Sequence, residues 1–117
     1  MKVKATREGL VGHRTATGWV IDRVTLFCAL PSVAALHRMV KISNPANGRA
    51  VVCQVLDVGP WDEHDDDYVL GGLRPAAESG RDTRGRPTNG AGIDLGERAW
   101  SALGMTDNGL VDWEFVL

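Results

Sequence analysis

Two short apolar segments of this chain each run into an aspartate, and these carboxylates are the first candidates for chemistry. Residues 51–56 lead into Asp57, and Asp94 lies within Ile93-Asp94-Leu95, just before a helix-like stretch. An aspartate in such a run is costly to bury unless it is hydrogen-bonded or reactive. Two converging carboxylates would supply the pair used in glycosidic bond cleavage. A structural alternative stays open, because strand-end aspartates also serve as turn and helix-cap residues.

Aromatic side chains form a second set of candidates. Trp19 and Trp61 are predicted to flank a groove and to stack on sugar rings, and Tyr68 is a third substrate-binding candidate. Trp100 and Trp113 occur at helical and strand spacing, which favours core packing. The acidic run around His64, residues 62–67, fits no EF-hand spacing and is predicted to be a solvated loop. We therefore expect no metal site and no cofactor.

Composition excludes several classes of function. The 117 residues form one domain with a modest core, and fourteen glycines indicate many turns. The net charge of −2 gives no attraction to nucleic acid. No apolar stretch reaches the ~20 residues needed to span a bilayer, and the N-terminus has no apolar segment typical of a secretory signal. Cys28 and Cys53 are interpreted as buried free thiols, with a single cross-strand disulfide as the alternative.

The elements that must position these residues are mostly strands. Extended segments are predicted at 2–6, 19–29, 39–44, 49–56 and 110–117 from their β-branched content and their period-two alternation. A helical turn is expected over 33–38 and a helix over 97–103. Residues 61–92 are rich in Asp, Gly, Arg and Pro and read as one long loop, which in a domain this small is often a binding element.

Five short motifs follow one another in a recognisable order. They are Thr15-Ala16-Thr17-Gly18, Ile21-Asp22, the segment 44–49, Asp57-Val58-Gly59-Pro60 and Ile93-Asp94-Leu95. Their order and spacing resemble those of the RlpA-like double-psi β-barrel family, which is related to the expansins and the family 45 endoglucanases. The resemblance covers residues 5–117, with 61–92 as an insertion. It implies a single mainly β domain over 1–117: a six-stranded double-psi β-barrel with one or two short helices and a long inserted loop.

The resemblance also implies a function on wall polysaccharides. Asp57, Asp94 and Asp22 match acidic positions of the family and are the catalytic candidates. Two polar positions of the lytic members differ, since Trp19 stands in place of a glutamate and Leu30 in place of a histidine. A lytic transglycosylase needs one acid/base group, which Asp57 or Asp94 alone would supply.

The implied partner is the glycan strand of peptidoglycan, cleaved by a lytic transglycosylase or hydrolase. The alternative is a non-catalytic glycan-binding or structural virion component, with other virion or cell-envelope proteins as partners. Because no signal peptide is recognised, we expect a phage-encoded protein that is carried in the virion or delivered to the bacterial periplasm and cell wall.

Overall fold

The computed structural model describes residues 1–117 and confirms the predicted fold class. Six strands close into a barrel in the order β1-β5-β2-β4-β3-β6. The strands are β1 (Lys2–Arg7), β2 (Phe27–Leu30), β3 (Met39–Ser43), β4 (Ala50–Val58), β5 (Ile93–Leu95) and β6 (Gly109–Phe115). Two short helices, α1 (Asp66–Val69) and α2 (Glu97–Ala102), and 3-10 turns at Val33–Ala35 and Ala76–Ser79 complete the chain. No helix has the length and apolarity needed to cross a membrane.

The barrel combines two parallel strand pairs with four antiparallel ones. β1 pairs with β5 and β2 with β4 in parallel, so segments distant in the sequence lie side by side. Strand alternation sends every second side chain inward, as at Val40 and Ile42 on β3. The interior also holds Cys28 and Cys53, which are buried free thiols as the composition predicts.

The segment 19–29 differs from its prediction. Only Phe27–Leu30 forms a strand there. The preceding residues fold into a small hairpin, in which the amide of Thr15 donates to the carbonyl of Trp19 and the amide of Ile21 to that of His13. These local hydrogen bonds replace the ladder that its β-branched composition favoured.

The long inserted loop, residues 61–92, is called the excursion below. It is ordered, and buried polar groups hold it in place. Asp62 and Asp65 are only 3% and 7% exposed, so the prediction of a solvated acidic loop is wrong for both. Asp62 Oδ1 accepts the amide of Thr83, and Asp65 Oδ2 accepts the amide of Ala76. These carboxylates replace water as acceptors for loop amides, which explains their burial.

Candidate functional site

Asp57 and Asp94 lie on either side of one residue of β2. In the strand register, Ala29 is opposite Asp57 on β4 and opposite Asp94 on β5. Since neighbouring strands are about 4.8 Å apart, the two aspartates sit roughly 10 Å apart at the backbone, with side chains free to approach more closely. A register irregularity between Cys28 and Ala29 brings Asp57, rather than Leu56, opposite Ala29. The topology thus brings the two strand-end carboxylates to one region of the barrel.

Asp57 is held by the first of the short motifs found in the sequence. Its Oδ1 accepts the amide of Ala16 and the amide of Val58, both at 2.9 Å. The hydroxyl of Thr17 donates to the carbonyl of Leu56 at 3.1 Å. The Thr15–Gly18 turn therefore covers the end of β4 and fixes the orientation of Asp57.

Asp94 is a partly exposed carboxyl with a raised pKa. The Thr6 hydroxyl, opposite it on β1, donates to Oδ1. Burial raises the pKa of Asp94 to about 6; the Thr6 hydrogen bond acts against this shift, and the charge of Asp57 adds to it. A group with this pKa changes protonation close to neutral pH and can serve as acid and as base.

Glu8 completes a cluster of three carboxyls, and the sequence analysis missed it. Its amide extends the β1–β5 ladder by donating to the carbonyl of Leu95, and its side chain is 8% exposed. Burial, above all, raises the pKa of Glu8 to about 9, and a hydrogen bond to Asp57 with the charges of Asp57 and Asp94 adds to the shift. No protein donor reaches the buried Oε2. Glu8 therefore keeps its proton at pH 7, which permits a hydrogen bond between the two carboxyls of Glu8 and Asp57.

Alternation along β1 by itself does not reveal Glu8 as a site residue. Val3 and Ala5 are inward residues of β1, so the outer row continues through Thr6 to Glu8. This row runs alongside Asp94 once β1 and β5 are paired. That pairing joins residues nearly ninety positions apart, which a local pattern does not specify.

Trp61 lies beside Asp94 and is held by the far end of the excursion. Its indole N–H donates to Asn89 Oδ1 at 3.1 Å, and its carbonyl accepts Arg86 Nη2 at 2.9 Å. A Cβ built on Gly59 would lie 3.8 Å from the Trp61 amide nitrogen and 4.0 Å from Asp94 Oδ2. The tryptophan is 39% exposed and has a left-handed φ of 70°, an uncommon conformation for a bulky residue. Such strain, kept near a cluster of carboxyls, indicates a functional position.

Trp19 stands at the opposite end of the short β2–β5 pair. Its ring packs edge-on against Phe27, with centroids 4.9 Å apart and planes at 68°. Phe27 in turn packs against Gly96, which follows β5 directly. Trp19 remains partly exposed. It therefore packs on the barrel through Phe27 and keeps part of its surface for other contacts.

Tyr68 lies in the core and not at the site, and Asp22 is engaged in a turn of its own. Tyr68 is 2% exposed, and its hydroxyl accepts the Trp113 indole N–H while donating to the carbonyl of Gly92. It is a core residue, so its prediction as a substrate contact is wrong. Asp22 closes its own turn by accepting the amides of Val24 and Thr25, which lower its pKa. Asp22 therefore stabilises its own turn, and its catalytic role stays a prediction.

Leu30 is fully buried at the end of β2 and contributes packing only. No group of three or more His, Cys, Asp or Glu side chains is arranged to hold a metal ion. The side chains that this site offers are carboxyl groups and an aromatic face.

A family model described as a domain of unknown function, DUF8814, matches residues 1–71. The chain belongs to the DUF8814 family. The matched part of this DUF8814 protein includes Glu8, Asp57 and Trp61. A comparison with curated protein sequences finds no significant match.

Solved structures share the barrel of the DUF8814 chain at low identity. The Streptomyces papain inhibitor aligns over the whole chain and 94% of its own length, with a TM-score of 0.59 and 20% identity. A mutant Clavibacter michiganensis expansin in complex with cellohexaose aligns with a TM-score of 0.58 and 17% identity. The alignment covers the whole chain but only 51% of the expansin. Cerato-platanin 3 from M. perniciosa aligns with a TM-score of 0.58 and 10% identity, over the whole chain and 95% of its own length. These likenesses show a common double-psi β-barrel fold.

Proposed function

We propose that this barrel acts on glycan strands, with peptidoglycan as the substrate and Asp94 as the acid/base group. The observation that carries the proposal is the cluster of Glu8, Asp57 and Asp94 beside an exposed tryptophan. Carboxyls with separated pKa values mark acid and base roles in glycoside-cleaving sites. An expansin of the same fold is seen with a bound cello-oligosaccharide, which supports a glycan as the ligand.

The chemistry follows from the protonation states of the cluster. Near pH 6 a protonated Asp94 donates its proton to the glycosidic oxygen, and the bond from that oxygen to C1 breaks. The oxocarbenium-like centre faces the Asp57 carboxylate, whose charge stabilises it. The 6-hydroxyl of the same sugar then attacks C1 and returns its proton to Asp94, giving a 1,6-anhydro end. Glu8 stays neutral in this scheme, which limits the negative charge of the cluster.

Two aromatic residues supply the binding surface. The exposed part of Trp61 offers a face on which a sugar ring stacks, and the excursion fixes the position of that face through Asn89 and Arg86. Trp19 cannot move a proton, so at the position where the lytic relatives carry a glutamate it contributes packing and contact area. We also propose delivery to the cell wall from a phage virion.

The second candidate is a non-catalytic glycan-binding or structural virion module. The observation in its favour is Trp19, which replaces the acidic residue of the lytic relatives. The same barrel also occurs in a protein named as a papain inhibitor, so the fold serves binding functions as well.

Incubation with purified sacculi separates the two candidates. The enzyme releases soluble muropeptides with anhydro ends, detected by mass spectrometry, and Asp94→Asn reduces the release by at least 100-fold. Asp107→Asn, in the exposed turn before β6, is the matched control and keeps full activity. Sedimentation of the protein with sacculi without any release identifies the binding module and rules out the reaction.

A further inference from the structure

Lys4 lies in the outward-facing row of β1 that leads to the carboxyl cluster. Val3 and Ala5 are fully buried, so Lys4 and Thr6 share the outer face of the strand. Thr6 is the hydrogen-bond donor to Asp94. Residues two apart along a strand are separated by about 6.7 Å. The base of the Lys4 side chain is therefore one step from Asp94's immediate partner.

The ammonium of Lys4 also meets the residue that positions Trp61. Lys4 Nζ donates to the carbonyl of Asn89 at 2.8 Å, while Asn89 Oδ1 accepts the Trp61 indole at 3.1 Å. One asparagine thus brings the cation and the aromatic face together. Lys4 and Trp61 consequently lie close together at Asn89.

Lys4 has no carboxylate partner, although carboxylates are abundant. The arginines at 7, 74, 84 and 86 each form an ion pair with an Asp or Glu, whereas the acceptor of Lys4 is a neutral backbone carbonyl. A carbonyl leaves the positive charge uncompensated. Lys4 is therefore free to balance a negative charge brought by a ligand.

We propose that the surface formed by Lys4, Asn89 and Trp61 selects an acidic glycan, with Lys4 facing a carboxylate on the sugar that stacks on Trp61. This inference rests on the proposed glycan function and specifies its substrate class. A cluster containing Asp57 and Asp94 repels an anionic chain unless a cation lies between them. Lys4 reaches the aromatic face through Asn89 and lies two residues from Thr6, the partner of Asp94, so its ammonium supplies an attraction for the charged sugar.

The experiment compares two oligosaccharides that differ only in charge. Cellohexaose and its C6-oxidised, glucuronate-containing counterpart are titrated into the protein by isothermal calorimetry at low salt. The acidic chain binds roughly fivefold more tightly, as expected for one partly exposed charge pair, and 1 M salt removes the difference. Lys4→Gln keeps a donor for the Asn89 carbonyl but loses the preference, and Lys4→Arg retains it.

Lys41→Gln is the matched control, because Lys41 is an exposed lysine on β3, a strand not adjacent to β5. Equal binding of both chains by the wild type, with Trp61→Ala weakening both, overturns the acidic preference and leaves the glycan function standing. A loss of preference in Lys41→Gln as large as that in Lys4→Gln overturns the assignment to Lys4. Failure of both chains to bind, together with failure to sediment with sacculi, overturns the proposed function itself.

Discussion

The buried carboxyl of Glu8 lies against that of Asp57, in a cluster that also contains Asp94. Carboxyl groups pair in this way when one of them keeps its proton. Burial keeps the proton on Glu8, since its ionised form would lie in an apolar setting beside two negative charges. The pair therefore lowers the charge of the site without any cation.

Glu8→Gln should stabilise the protein at neutral pH. The pKa of Glu8 is about 9 in the folded chain, whereas its ordinary value is 4.5, so between these pH values the folded state holds a proton that the unfolded state releases. Stability consequently falls as pH rises from 4.5 towards 9, and glutamine removes this loss. The gain at pH 7 is about 3 kcal/mol.

Urea unfolding at pH 4, 7 and 9 measures this effect. The difference between Glu8→Gln and wild type should vanish at pH 4 and grow with pH up to about 9. Glu114→Gln, on the exposed face of β6, is the control and should leave the pH profile unchanged. Parallel pH profiles for wild type and Glu8→Gln would show that Glu8 titrates normally.

Thr6→Val should raise the pKa of Asp94. The Thr6 hydroxyl favours the ionised carboxylate and holds its pKa down to about 6, against burial and the charge of Asp57. A hydrogen bond to a charged group contributes about 1.5 kcal/mol, so its loss raises the pKa by about one unit. Carbon-13 NMR titration of the Asp94 carboxyl measures the shift, and any glycan-cleaving activity should move its pH optimum upward with it. Thr106→Val, in an exposed turn, should change neither; an unchanged Asp94 titration in Thr6→Val would contradict the role of the hydroxyl.

Individual strands could be predicted from local patterns and the barrel from the family resemblance, but neither predicted the complete cluster. Alternation along β3 and β6 identified these strands, and the strand-end positions of Asp57 and Asp94 identified both as site candidates. Glu8 joins them only through the β1–β5 pairing, a long-range contact without a local signal. Tyr68 was misplaced for a related reason, because a polar loop composition does not show that one turn of helix enters the core.

Tyr68→Phe should destabilise the fold by about 2 kcal/mol. The change removes the acceptor of the Trp113 indole N–H and the donor to the carbonyl of Gly92, leaving two buried polar groups without partners.

Tyr68 and Val69 belong to the main core, so deleting residues 63–88 should unfold the barrel as well as remove the excursion. Thermal unfolding checks both variants, with Leu70→Ala, an exposed neighbour, as the control. A Tyr68→Phe protein as stable as wild type would mean that water satisfies both groups.

Gly96→Ala should disturb the packing that carries Trp19. A methyl group at Gly96 would overlap the ring of the fully buried Phe27, so this ring must move, and with it the edge-on contact to Trp19. Overpacking of this kind costs about 1–3 kcal/mol. Gly9→Ala is the matched control, because its added methyl meets nothing closer than the Glu97 carboxylate at 4.0 Å. Urea unfolding measures the cost, and the Trp19 indole resonance in a proton–nitrogen NMR spectrum should shift in Gly96→Ala and stay in place in Gly9→Ala. An unshifted resonance with reduced stability would show that the Phe27 ring moves while Trp19 stays in place. The position of Trp19 would then not depend on the packing of Phe27 against Gly96.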